Sequence, residues 1–310
     1  MAAHPKLTKD VLQIDAPSLC QKLTEFLREE FLHSKKFGIV VPISGGLDSS
    51  VVAALCVRAV GKEKVLGLQL PEHWGNPEAN IYGERIARHL GIRTRKINIT
   101  PILRGLGTYR LYLAALSGRE RWKNMVAQYL KKKGQTAEEL YQQELQGTLD
   151  PASRKLVAKV QAKQRARLLV TYKIAEENQL LVVGAAHKTE QMMGLFVKYG
   201  IDDGADLMPL KNLHRSQVLQ LGEYLEIPQE ILRRTPNPDI LPGITDKYQG
   251  YFGLNVLQVE LILQGQEWGM SPEEMAEELS LEISRVEKVL KASTGSEGFR
   301  SHGKSPDIAK

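Results

Sequence analysis

Cysteine is almost absent from this 310-residue sequence: there are two, Cys20 and Cys56. That number cannot build a disulfide framework or a four-cysteine zinc site, and the two do not form a Cys-x-x-Cys pair. Each falls on the apolar face of a predicted helix, where a thiol packs as a small hydrophobe. Such usage fits a reducing compartment, and a cytoplasmic location is the expectation. Long apolar runs are missing too. The longest, around residues 38–43 and 180–186, fall far short of the ~20 residues a membrane-crossing helix needs. Residues 1–6 lead into a mixed charged helix and not into the apolar core of a signal peptide. A soluble protein with no membrane contact is expected. Aromatics make up only 6% of the chain, and few accompany the basic run Lys131-Lys132-Lys133. That run therefore reads as a solvated helix face, which argues against a nucleic-acid partner.

The charge leans basic, with 42 Lys and Arg against 36 Asp and Glu, a formal +6. The mild excess suits a small phosphate-rich ligand, and by itself also allows weak nucleic-acid contact. Apolar residues at 42% and charged residues at 25% are ordinary for a globular chain with a real core. The length permits two domains, but one large α/β domain spanning 1–310 fits equally and is the expectation.

The order of elements supports that choice. Residues 15–33 predict a helix, with Asp15 as cap, Pro17 in the first turn, and Leu19, Leu23, Phe26, Leu27 and Phe31 on one face. Residues 37–43 are a nearly unbroken apolar run, which predicts a strand buried on both faces. A helix over 48–60 stops at Gly61. The cycle repeats with a strand over 65–70, a helix over 76–90 ending at Gly91, and a strand over 93–98. Strands alternating with helices at this spacing imply parallel pairing and right-handed crossovers, a doubly wound α/β sheet. Residues 103–155 are polar and helix-prone, and predict a helical insertion at the sheet rim. A helix over 156–178 and a fourth strand over 180–184 resume the pattern. Residues 199–206 predict a loop, 214–225 and 228–234 helices, and the stretch 235–250, with its prolines, a loop. Residues 254–292 predict a C-terminal helical segment and 293–310 a mobile polar tail. Within the helical segment, 271–292 faintly suggests a helix-turn-helix. Six glutamates against one arginine and two lysines there would repel DNA, so a helical hairpin is expected.

The chemistry concentrates where the first strand ends. Pro42 and Ile43 deliver the chain to Ser44-Gly45-Gly46-Leu47-Asp48-Ser49-Ser50, which opens a helix. Two glycines let backbone amides approach an anion, and the helix N-terminus adds unpaired donors and positive potential. Ser44, Ser49 and Ser50 add hydroxyls. Asp48 is out of place beside phosphates unless it holds a cation such as Mg²⁺. The lysine of the Walker loop is absent, so this is a different phosphate loop. It resembles the Ser-Gly-Gly-x-Asp-Ser signature of ATP pyrophosphatases, enzymes that cleave ATP to AMP and pyrophosphate while forming an adenylate.

Three further segments narrow the resemblance. They are Lys163-Gln164-Arg165-Ala166-Arg167-Leu168 with Tyr172; Gly184-Ala185-Ala186-His187-Lys188-Thr189-Glu190; and Phe196-Val197-Lys198-Tyr199-Gly200 before Asp202-Asp203-Gly204-Ala205-Asp206. With the phosphate loop they resemble the NAD synthetase family over about residues 16–290. The resemblance implies ATP-dependent amidation of nicotinic acid adenine dinucleotide through a carboxyl-adenylate, carried out by a homodimer. It implies that Asp48 and Glu190 bind Mg²⁺, that Arg165, Lys198 and Asp206 contact the dinucleotide, and that Ala185, Arg215 and Asn237 border ATP along with the loop 42–50. No glutaminase domain is evident ahead of the first predicted strand, so ammonia is the expected nitrogen donor. The sequence also departs from the family. Ala185 lacks the hydroxyl of the usual Thr or Ser, and Arg215 replaces a Lys, which binds phosphate differently. Asn237 stands where Thr or Ser is common. The Asp/Gly loop is one residue longer, so Asp202 and Asp203 compete for one role. The family's terminal His-Lys-Arg has only a loose counterpart in Arg300-Ser301-His302-Gly303-Lys304. An adenylating enzyme with another substrate, including tRNA, and a non-catalytic ATP-binding relative stay open as alternatives.

Overall fold

A computed structural model of the chain describes residues 4–109, 119–236 and 246–300. Asp15 caps the first helix by accepting the Ser18 amide at 3.2 Å, and the helix α1 runs Ala16–Ser34. It ends at Lys35, whose φ of 55° turns the chain. Strand β1 (Gly38–Pro42) follows. Its alternate side chains go to opposite faces, as strand geometry requires: Ile39 and Val41 enter one hydrophobic cluster and Val40 another, all fully buried. Helix α2 (Leu47–Val60), β2 (Val65–Gln69), α3 (Pro77–Leu90) and β3 (Arg93–Lys96) complete the first half. The predicted strands are each trimmed at their ends, where the pairing register runs out.

The chain then changes face. Helices α4 (Thr100–Gly105), α5 (Arg119–Lys132) and α6 (Ala137–Gln146) precede α7, which spans Pro151–Asn178. The last starts five residues earlier than the expected 156, because Asp150 accepts the Ala152 and Ser153 amides and Pro151 suits the first turn. Leu103, Val126, Leu130, Leu140 and Leu156 from these helices pack in the cluster that holds Val40. They thus cover one face of the sheet, while α1, α2 and α3 cover the other.

Strand β4 (Leu180–Val182) pairs parallel to the free side of β1, giving the order β3-β2-β1-β4. All pairs are parallel. A parallel bridge, Val183 to Leu207, carries the sheet one residue further. Edge strand β3 exposes Arg93, Thr94, Arg95 and Lys96, charges that discourage edge-to-edge pairing. The remaining elements are α8 (Lys188–Met192), α9 (Arg215–Tyr224), α10 (Gln229–Leu232), α11 (Lys247–Phe252), α12 (Val256–Glu267), α13 (Pro272–Leu279), α14 (Ile283–Gly295) and α15 (Glu297–Arg300). The expected loop over 235–250 is interrupted by α11, since Asp246 caps it on the Tyr248 and Gln249 amides and Tyr248, Tyr251 and Phe252 are buried. The expected mobile tail is docked as far as Arg300: Ser296 Oγ donates to Met192 O at 2.6 Å. Helices α11, α12 and α14 share a third cluster with Tyr141 of α6. Among the described residues, no helix is long and apolar enough to cross a membrane.

Candidate active site

Because β2 and β4 lie on opposite sides of β1, the chain leaves β1 in one direction and later returns on the other. In such sheets the crevice at the carboxyl ends of these strands is open to a ligand. The loop after β1 and the segment after β4 therefore meet there.

The loop after β1 is shaped for close backbone approach. Gly45 has φ +70°, and a Cβ on it would sit 2.6 Å from Tyr82 Cβ and 2.7 Å from Gly83 N. Only glycine fits. Gly46 caps α2 without any side-chain hydrogen bond, so the first-turn amides are left for another acceptor. Ser44 Oγ lies 3.1 Å from Ser49 Oγ and accepts the Gly46 amide at 3.3 Å. Ser49 Oγ donates to Gly46 O, and Ser50, fully buried, donates to the same carbonyl at 2.7 Å. Ser50 thus builds the turn and has no exposed hydroxyl to offer. Ile43 and Leu47 are buried in the core, so they can meet a ligand only through their backbone. Pro42 ends β1.

Asp48 and Glu190 converge across the crevice. One ligand atom from each, with one from His187, all lie within 4.8 Å of one another. Asp48 receives Arg215 Nη1 at 3.1 Å on both carboxylate oxygens. Glu190 receives the Lys247 ammonium on Oε1. Burial raises the Glu190 pKa, but the Lys247 ammonium more than offsets it and holds the carboxyl well below its usual range. His187 is fully buried and caps α8: its Nδ1 accepts the Glu190 amide at 3.4 Å. Burial lowers the His187 pKa against the pull of Glu190 and Asp48, so the ring is neutral near pH 7. With Nδ1 accepting, the proton sits on Nε2, which is buried without a hydrogen-bond partner and lies 3.7 Å from Glu190 Oε2. His187 is therefore a donor toward the carboxylates, and two hard oxygen ligands remain for a cation.

Thr189 and Glu260 fix this arrangement from behind. Thr189 Oγ1 donates to the fully buried Glu260 Oε1 at 2.8 Å and accepts the Arg215 amide at 3.2 Å. Glu260 also accepts the Ser216 amide with both oxygens at 3.3 Å. One carboxyl on α12 thereby ties the helix bearing Glu190 to the helix bearing Arg215. Arg234, from the end of α10, donates to Gly45 O at 2.9 Å and stacks over Tyr82 at 4.3 Å. Arg215 and Lys247 thus pair with the two carboxylates, and Arg234 adds a cation at the phosphate loop, charge suited to a polyphosphate.

A family model described as NAD synthase matches residues 19–129 and 117–302. The chain belongs to the NAD synthase family. It is 36% identical over 260 residues to an NH(3)-dependent NAD(+) synthetase of Coprothermobacter proteolyticus, covering 82% of this chain and 86% of that one. It is 34% identical over 274 residues to an NH(3)-dependent NAD(+) synthetase of Thermotoga maritima, covering 88% and 94%. Among solved structures it is similar to an NMN synthetase from Francisella tularensis, with TM-score 0.68, 23% identity and coverage of 96% and 100%. An NH3-dependent NAD synthetase from Campylobacter jejuni gives TM-score 0.64 at 21% identity, covering 96% and 100%. These two likenesses carry the fold alone.

Ala185, after β4, packs against the core cluster. Arg165 Nε donates to Lys198 O at 3.3 Å, so these two are neighbours, and Lys198 Nζ donates to Gly298 O at 3.4 Å. Asp206 is exposed, yet both oxygens are engaged: it accepts Tyr172 OH at 2.7 Å and the Val182 amide at 2.9 Å. It therefore anchors the end of β4. Asn237 lies outside the described residues. The two competing aspartates separate. Asp203 accepts the Tyr199 amide at 2.9 Å and closes the turn. At Asp202, burial and then the Glu190 charge push the carboxyl up to about 7, against Arg167 and Lys247.

Sequence reasoning missed Lys247, Arg234, Glu260 and Glu72. Lys247 was hidden in a stretch read as loop, although Asp246 as a cap and the spacing of Tyr248, Tyr251 and Phe252 signal a helix. Glu72, after β2, has a side chain 2% exposed and receives Lys163 at 2.7 Å together with Tyr109 OH. It ties α7, which carries Arg165 and Arg167, to the sheet. No local pattern marks it.

Proposed function

We infer that this protein converts nicotinic acid adenine dinucleotide to NAD, using ATP and ammonia and releasing AMP and pyrophosphate. The observation that carries the reading is the meeting of a glycine-built phosphate loop with the Asp48–Glu190 pair at the sheet's switch point. The family uses ATP as a substrate, and the chain spans most of the length of relatives named as ammonia-dependent NAD synthetases.

In the first step a carboxylate oxygen of the dinucleotide bonds to the α-phosphorus of ATP, and the bond to pyrophosphate breaks. In the second, ammonia bonds to the activated carbonyl carbon, AMP leaves with the shared electron pair, and one proton is released. The chain's residues divide the work. The amides after Gly45 and the N-terminus of α2 hold phosphate oxygens, aided by Ser44 and Ser49. Arg215 and Arg234, both bonded to loop residues, balance phosphate charge. Ala185 and Asn237 border the nucleotide, and Ala185 does so without a hydroxyl. Arg165, Lys198 and Asp206 bind the dinucleotide, with Asp206 acting through the backbone it holds. Asp48 and Glu190 would hold Mg²⁺: their oxygens are close enough to share one cation, and both are hard ligands. Bound there, Mg²⁺ would neutralise phosphate charge and polarise the reacting phosphoryl group. Holding both substrates together removes much of the entropic barrier to a bimolecular step.

The test is product analysis with ATP, Mg²⁺, ammonium and nicotinic acid adenine dinucleotide. NAD, AMP and pyrophosphate should appear in equal amounts. ADP in place of AMP, or pyrophosphate release that ignores the dinucleotide, would overturn the reading. Ammonium should serve without glutamine, and full turnover on glutamine alone would overturn the donor. We propose that the assembly is a homodimer, as the family resemblance implies; Leu32 of α1, Phe37, and Leu169 of α7 are exposed apolar side chains available to such an interface. A fully active monomer in sedimentation at micromolar concentration would refute it.

A further inference from the structure

The two carboxylates that suit a divalent cation are already neutralised by the chain itself. Arg215 holds Asp48 and Lys247 holds Glu190. The Lys247 residue is buried, 7% exposed, and its nitrogen also lies 5.4 Å above the Tyr248 ring. It stands at the start of α11, whose cap Asp246 and buried Tyr248, Tyr251 and Phe252 fix the backbone that carries it. The pair is thus held by packing, unlike a surface ion pair that samples many rotamers.

The two ion pairs, Arg215 with Asp48 and Lys247 with Glu190, sum to zero. A divalent cation entering alone would have to displace Lys247 and Arg215 from the two carboxylates or sit beside their positive charges in a partly desolvated crevice. Both are costly, because a buried charge without a partner is strongly disfavoured. A triphosphate changes the sum. Its negative charge gives Lys247 and Arg215 new partners, and Asp48 and Glu190 are released together.

The geometry points to Lys247 as a resident counter-ion of Glu190 that keeps free divalent cations out until nucleotide phosphates draw it away. Lys247 thereby couples metal binding to nucleotide binding and joins the phosphate-binding groups of the loaded site. The inference rests on Asp48 and Glu190 being the metal carboxylates.

The experiment uses the full chain and Mn²⁺, followed by the electron paramagnetic resonance signal of free Mn²⁺, with no nucleotide present. Wild type should bind Mn²⁺ only in the millimolar range. Lys247→Met should bind it about tenfold tighter, since removing a competitor for the same carboxylate releases a coupling of that size. Lys247→Arg keeps the cation and should stay weak. The double variant Lys247→Met with Glu190→Gln should lose the gain. Conversely, ATP titrated calorimetrically in EDTA should bind wild type several-fold tighter than Lys247→Met. Micromolar Mn²⁺ binding by wild type alone would overturn the inference, and so would equal affinities for wild type and Lys247→Met. Persistence of the gain in the double variant would overturn it as well. The wild-type arm stands even if the Met variant fails to fold. No readout involves NAD formation. A chain that makes NAD yet binds Mn²⁺ tightly unaided keeps its proposed function and loses only this mechanism.

Discussion

Replacing Asp48 by Asn is the most searching single change, because it alters charge and almost nothing else. In the free protein it removes the negative charge facing Arg215 and one of the two oxygens that Nη1 reaches, leaving the guanidinium an amide oxygen and Arg234 O at 3.4 Å. Stranding a buried partner costs about 3–5 kcal/mol, and an exposed one about 1 or less. The side chains here are 10% exposed for Arg215 and 22% for Asp48, so an intermediate loss of about 2 kcal/mol is expected. Domains of ordinary stability, about 5–15 kcal/mol, stay folded after such a loss. The effect on adenylation should be larger. Removing one preorganised charge at a phosphoryl centre costs on the order of a thousandfold in rate, or about 4 kcal/mol. The two effects are separable. Urea unfolding gives the stability change, and pyrophosphate release at saturating ATP, dinucleotide and ammonium gives kcat. Turnover within tenfold of wild type would refute the assignment of Asp48 to the ATP side of the site. So would a rate loss that merely tracks the unfolded fraction.

Lys198→Met keeps the apolar stem and deletes the ammonium. It should raise the dinucleotide KM about tenfold with little change in the ATP KM, and an ATP-only defect would break the substrate assignment. Burial pushes His214 down to about 3, from ~6.5 unfolded, so its neutral ring stabilises the fold above pH 6.5 and that stability is lost as pH falls toward 3. Between pH 7.5 and pH 5 this ring should remove about 2 kcal/mol, and His214→Gln should flatten that part of the urea-derived profile. An unchanged slope would show that other groups carry it. Lys163→Met and Glu72→Gln should each cost about 3 kcal/mol, because each strands a buried partner. The double variant should cost clearly less than their sum, and strict additivity in urea unfolding would deny the coupling.

The sequence alone determined the elements whose cause is local. Asp15 with Pro17 starts α1, and Gly61 and Gly91 stop α2 and α3. The unbroken run through Ile39, Val40 and Val41 forces a strand with two covered faces. The alternation of strands and helices made the sheet parallel and doubly wound, since the handedness of crossovers leaves few other solutions. The phosphate loop was legible for the same reason: its glycines, its helix N-terminus and Asp48 are adjacent in the chain, so one short motif records the chemistry. Tertiary structure alone decided the pairings between distant residues. Lys247 meets Glu190 across 57 residues and Arg215 meets Asp48 across 167. Glu260 ties α8 to α9 from a helix that carries no motif. Asp202 and Asp203 are chemically identical neighbours, and only the turn closed by the Tyr199 amide binds one to the backbone and leaves the other under the charge of Glu190. Such pairings depend on which surfaces the packed helices bring together. Local propensity and spacing fix each element by itself, and the burial that couples a charge to its distant partner exists only once the core has formed.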